Sequence, residues 1–138
     1  MSAYREPYLR FVVGHDDPKI GTRAGLFDVA YSLRHLPATP SYQSKDLETL
    51  LAWFKSNLMV PKRFSRSASK GAWRRHAKGV CWFKPTAHKH IAKMYEMAAI
   101  LEDLGHATDV IKCARPGFIV YEDEFQIVTE LFADAAIR

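Results

Sequence analysis

Lys62 to Lys78 reads KRFSRSASKGAWRRHAK, 17 consecutive residues near the middle of the chain with no sustained apolar period. A stretch of this kind offers no continuous apolar face for a packed element, so the core is expected from the segments on either side of it. We expect an exposed, mobile loop at 62–78 on the surface of a single domain spanning 1–138. With 138 residues and 48 % hydrophobic content, the flanking segments carry enough apolar surface to form that core without disulfides or a structural metal.

The same region carries the main functional signal. Between Glu48 and Glu96 there is no carboxylate, yet the 47 residues from Thr49 to Tyr95 hold 11 of the 20 lysines and arginines. The interval therefore carries a formal charge of +11 and the remainder −6, which the overall value of +5 conceals. Summed Coulomb terms of that size attract a polyanion or an acidic partner if the cations gather on one surface after folding.

Hydrophobic patterning assigns elements to both flanks. Tyr8 to Gly14, YLRFVVG, is short and rich in aromatic and β-branched residues, and the polar HDDPK after it predicts a strand followed by a turn. From Thr22 the residues Leu26, Val29, Ala30, Leu33 and Leu36 recur near helical spacing, and Pro37 ends the run. Beyond the linker PATPSYQ, Leu47, Leu50, Leu51, Phe54 and Leu58 form a second helical stripe, with Ser44 as its expected N-cap and Asp46 and Glu48 as first-turn acids. Gly79 to Lys84, GVCWFK, reads as a buried strand closed by Pro85, in which at least one of Trp82 and Phe83 serves the core.

A third helix is expected from about Thr86, with Ile91, Met94, Tyr95, Ala98, Leu101 and Leu104 on its apolar face and Gly105 at C′. The strands TDVIKC, FIVY and FQIVTELF follow, the last two forming a hairpin whose acidic turn, Glu122 to Glu124, stays solvated. The order predicts an α+β fold, a mixed or antiparallel sheet of about five strands with three helices packed on it.

Within the basic interval, cations alternate with aromatic rings. Lys62, Arg63, Arg66, Lys70, Arg74, Arg75, Lys78 and Lys84 are interleaved with Phe64, Trp73, Trp82 and Phe83. Phosphates require cations and unpaired bases stack on aromatic faces, so the combination suits RNA or single-stranded DNA. Trp73, set among charges, is the expected stacking ring, and the arginines suit bidentate phosphate contacts. His76 is either a phosphate contact or an acid/base group. Lys89 lies at the start of the third helix, where a helix N-terminus adds to its attraction for an anion. Solvated charge, or pairing with the chain's own acids, is the plainer alternative for many of these cations. No helix-turn-helix signature, zinc-finger spacing, RNP sequence or GXXG loop accompanies them.

Other clusters are weaker. His15, Asp16 and Asp17 could hold a divalent metal or supply an acid and a base, but Asp16, Asp17 and Pro18 equally make a solvated turn. His88 and His90 are about 200° apart on an ideal helix and are poor joint ligands. GTRAG at Gly21 to Gly25 lacks the spacing of a phosphate loop. Cys81 and Cys113 are isolated thiols without CxxC spacing, read as buried and reduced. No catalytic residue, metal or cofactor is assigned.

The N-terminal stretch lacks a secretory h-region and no apolar run reaches the ~20 residues a membrane span needs, so the expectation is a cytoplasmic protein with no membrane association. The function expected is a small binding protein that engages nucleic acid or a nucleoprotein complex through the basic loop. The alternatives are an inhibitor or accessory subunit docking on an acidic protein surface, and a small hydrolase or nuclease using His15, Asp16 and Asp17, or His76. A basic interval and an acidic hairpin tip on one chain also permit a homodimer.

Overall fold

Alternation along the first strand divides its residues between two faces: Leu9, Phe11 and Val13 on one, Tyr8, Arg10 and Val12 on the other. The computed structural model describes residues 6–17, 22–60 and 79–130, so the segment 62–78 lies outside the described residues. β1 (Tyr8–Asp17) pairs along one edge with β4 (Thr108–Cys113), from Tyr8↔Cys113 to Val13↔Thr108. Its other edge is shared: β3 (Gly79–Phe83) pairs at Leu9↔Phe83, and β2 (Thr22–Gly25) pairs from Val12↔Gly25 to Asp17↔Thr22. β3 continues to β6 (Gln126–Glu130), and β6 to β5 (Phe118–Glu122). All pairings are antiparallel, and among the described residues they give a six-stranded sheet that joins three helices in an α+β fold.

The strand beyond the expected five is β2. β1 runs on through His15, Asp16 and Asp17 where a turn was expected, and Thr22 to Gly25 pairs with that extension in place of opening a helix. The apolar recurrence explains the difference, because its first member is Leu26, and α1 (Leu26–Leu33) starts there with Gly25 extended before it. α1 also stops short of Leu36, which is 48 % exposed. Pro37 disfavours helical geometry for the residue before it, and this ends the element early.

α2 (Ser41–Asn57) begins three residues before the expected N-cap, with Pro40 at the cap position and accepting from the amides of Gln43 and Ser44. Ser44 instead turns its hydroxyl back to the Arg34 carbonyl, as Thr39 does to that of Leu33. Both bonds engage carbonyls at the end of α1, where no intrahelical donor follows; that of Leu33 also accepts from the Leu36 amide. α3 (His88–Asp103) closes as its sequence predicts. Gly105 adopts φ +97°, its amide donates to the Glu102 carbonyl and that of His106 to Leu101, the two bonds of a Schellman motif.

The main core fills the space between the helices and one sheet face. Leu26, Ala30 and Leu33 of α1, Leu47, Leu50, Leu51 and Phe54 of α2, and Met94, Met97, Ala98 and Leu101 of α3 pack with Phe11, Val13 and Phe83. Burial of a side chain of this size contributes about 2 kcal/mol before conformational entropy is charged against it. Tyr95 departs from the expected apolar face: it is 49 % exposed, with its ring in edge contact with Phe11 at 5.0 Å. Among the described residues no helix is long and apolar enough to cross a membrane.

Trp82 and Phe83, adjacent in β3, are both buried, on opposite faces of the sheet. Phe83 joins the main core, while Trp82 packs with Val80 and Ile127 in a second cluster bordered by Tyr8, Ile111 and Cys113. Thr129, opposite Val80, is 1 % exposed, and its hydroxyl has no hydrogen-bond partner among the described residues. A buried hydroxyl without a partner costs free energy that an isosteric methyl does not. Thr129→Val is therefore expected to raise the unfolding free energy by about 1 kcal/mol in urea titration. A loss of stability would show that the hydroxyl is bonded in solution.

Candidate nucleic-acid interface

Nine of the eleven expected contact residues, Lys62, Arg63, Arg66, Lys70, Trp73, Arg74, Arg75, His76 and Lys78, lie outside the described residues. The chain leading into and out of their segment is described, and two buried polar side chains hold it. Leu58 to Val60 follow α2, and Leu58 caps the helix by donating its amide to the Phe54 carbonyl at 2.8 Å. His90, in the first turn of α3, is 4 % exposed, and its Nε2 lies 2.8 Å from the Asn57 carbonyl. Its ring stacks on Phe125 at 4.3 Å and meets the edge of Trp53 at 4.9 Å.

The second side chain is Gln126, 2 % exposed on the helix-facing side of β6. Its Nε2 donates to the Met59 carbonyl at 2.7 Å and to Asp123 Oδ2 at 3.1 Å, and its Oε1 accepts from the Cys81 thiol at 3.1 Å. Every hydrogen-bonding direction of the amide is thus engaged except one oxygen lone pair. Burial, reinforced by the negative charge of Asp123 and opposed by Arg10, pushes the Cys81 pKa up to about 12, so the thiol is a neutral donor. Both cysteines are free, and each is half-buried.

Asp123 corrects the expectation of a wholly solvated acidic turn. Its carboxylate accepts from the amides of Phe125 and Gln126, from Gln126 Nε2 and from the Tyr121 hydroxyl at 2.9 Å. Partial burial works to raise its pKa, but the donated hydrogen bonds outweigh this and hold it below the ordinary aspartate value. The same bond to Asp123, with desolvation and the carboxylate charge, raises the Tyr121 pKa. The aspartate is the hub of the β5–β6 turn, whereas Glu122 and Glu124 remain exposed.

The two remaining expected contacts differ from each other. Lys84 is partly buried and its Nζ lies 2.7 Å from Glu122 Oε2, so its charge is already matched by an acid on the neighbouring hairpin. Lys89 is exposed in the first turn of α3. One helical turn on, Lys93 places its ammonium 5.7 Å from the Trp53 ring centroid. His88 is exposed while His90 is buried, as their separation around the helix requires.

A groove of about 730 Å³ opens at this end of the molecule, between the exit of α2 and the hairpin tip, lined in part by Lys55, Leu58, Met59, Val60, Glu124 and Phe125. Met59 and Val60 are 62 % and 76 % exposed and immediately adjacent to the basic segment. His15, Asp16 and Asp17 have their backbone in β1, and their side chains lie outside the described residues. Thr22 to Gly25 of the GTRAG stretch form β2, not a phosphate loop. Among the described residues no group of three His, Cys, Asp or Glu side chains could hold a metal ion.

His90 and Gln126 escape a reading based on charge because neither carries a formal one, yet both had a signal. His90, Met94, Met97 and Leu101 follow helical spacing, which puts the histidine on the apolar stripe. Gln126 alternates with Val128 on an inward-facing strand. A polar residue at an apolar position demands a partner. Comparison of the chain with protein-family models, with curated proteins and with solved structures gave no match.

Proposed function

We propose that the protein binds a polyanion, and nucleic acid in particular, through the basic segment between Val60 and Gly79. One observation carries this reading: the carboxylate-free interval from Thr49 to Tyr95, with its 11 cations. Arg63, Arg66, Arg74 and Arg75 would contact phosphates and Trp73 would stack on an unpaired base. Lys89 and Lys93 add two cations along α3 beside Trp53, while Lys84 is occupied by Glu122. Such a protein suits the cytoplasm, where its ligand would be at hand.

The reading is tested with fluorescent single-stranded and duplex oligonucleotides at low salt. Arg74→Ala combined with Arg75→Ala is expected to weaken binding at least about tenfold, since each charge-assisted contact contributes on the order of 1 kcal/mol or more. Absence of binding by the unmodified protein, or an unchanged affinity in the double variant, would sink it.

Met59 and Val60 favour a second reading, in which an acidic protein surface is the partner. Exposed apolar side chains beside a groove are better suited to a protein contact than to a phosphate. A nuclease-resistant partner recovered by pull-down, and lost on Met59→Ser with Val60→Ser, would select this alternative.

A further inference from the structure

We propose that Gln126 is the positioning residue of the basic segment: one buried side-chain amide ties the chain entering the segment, at Met59, to the chain leaving it, at Cys81. The part of this proposal that concerns ligand affinity rests on the polyanion reading. The geometry is independent of that reading.

The amide reaches across 67 residues of sequence to the Met59 carbonyl and across 45 to the Cys81 thiol. It cannot rotate to trade one for the other, because the Met59 carbonyl and Asp123 require its NH₂ and the thiol requires its oxygen. Asp123 fixes the amide further by accepting from its NH₂ and from the Gln126 backbone amide. The outgoing side has its own backbone anchor, since the Lys84 amide donates to the Phe125 carbonyl at 2.8 Å. The incoming side relies more heavily on side chains, with His90 on Asn57 and Gln126 on Met59.

A segment whose ends are held together loses less conformational entropy when its cations converge on a ligand. Gln126 would therefore govern affinity without touching the ligand. Nothing in its chemistry supplies a contact to phosphate: it is 2 % exposed and its donors are already used.

Gln126→Met keeps the length and volume of the side chain and removes all three of its hydrogen bonds. Amide hydrogen exchange would be followed at Leu58, on the incoming side, and at Lys84, on the outgoing side, with Leu50 inside α2 as the internal reference. Both flanking amides are expected to exchange about tenfold faster relative to Leu50, because local opening loses a hydrogen-bonded restraint. Oligonucleotide affinity is expected to fall about fivefold while the slope of log K against log salt stays unchanged, since the number of phosphates neutralised is the same. Global destabilisation alone would not accelerate these two amides over Leu50.

Cys81→Ala is the milder companion should Gln126→Met fail to fold. It should loosen Lys84 and leave Leu58 as it was. Acceleration at neither flank, or at one flank only in Gln126→Met, would overturn the tie, and acceleration at both with unaltered affinity would overturn the positioning role. Unmodified protein that binds no oligonucleotide, together with acceleration at both flanks, would retire the polyanion reading and keep the tie.

Discussion

His90→Ala is expected to lower the unfolding free energy by about 3 kcal/mol, near the lower end of the range for emptying a buried aromatic site. The ring is 4 % exposed and lies within a cluster formed by Trp53, Phe54, Phe83 and Phe125, with the stacked contact to Phe125 the closest at 4.3 Å. Two losses combine in the variant. The cavity and the ring contacts account for the larger share, and the unpaired Asn57 carbonyl adds about 1 kcal/mol. His90→Phe separates them: it refills the cavity and keeps the stacking but leaves the carbonyl without its donor, so it should cost about 1 kcal/mol. Urea titrations with equal m-values would measure both. A cost below about 1 kcal/mol for His90→Ala would show that the site collapses around the missing ring and that the cluster does not hold α2 to α3.

The sequence made the layers of this fold legible and hid the fastenings between them. Leu47, Leu50, Leu51 and Phe54 announce a buried helix face through spacing alone, and all four are core residues. Gly105 is legible as the C′ residue because helices commonly end on a residue with φ > 0, which glycine adopts freely. β2 was not legible: its four residues, TRAG, become a strand through a partner supplied by the far end of β1. Strand formation there is decided by pairing and not by local propensity.

The candidate interface divides along the same line. Net charge along the chain exposes the cations of 62–78, since charge is a property of each residue alone. What Lys84 does with its charge depends on Glu122, which lies in another strand, and its spacing from the other cations gave no hint of that pair. Three consecutive acids between two strands imply a hydrophilic turn, and nothing in their order singles out Asp123. The amide of Gln126 beneath it, and the phenol of Tyr121 beside it, convert one of the three into a structural acceptor.

Salt dependence gives the largest effect expected of this protein and weighs the polyanion reading against the apolar groove. If six cations of the 62–78 segment neutralise phosphates on a single strand, log K should fall with log salt at a slope of about −4, because each contact releases about 0.7 of a condensed counterion. Raising monovalent salt from about 50 mM to about 200 mM would then weaken binding roughly 300-fold. Removing Arg74 and Arg75 together should flatten the slope to about −3. Lys84→Ala is expected to leave the slope unchanged, since its ammonium is already neutralised by Glu122 at 2.7 Å. Lys89→Ala should flatten it by about 0.7 if the strand follows α3 past Trp53. An apolar contact at Met59 and Val60 has no counterions to release, so a slope near zero would move the binding energy from the basic segment to the groove. A Lys84→Ala slope that falls as far as that of Lys89→Ala would mean that the ligand takes Lys84 from Glu122, placing the β5–β6 hairpin inside the binding surface.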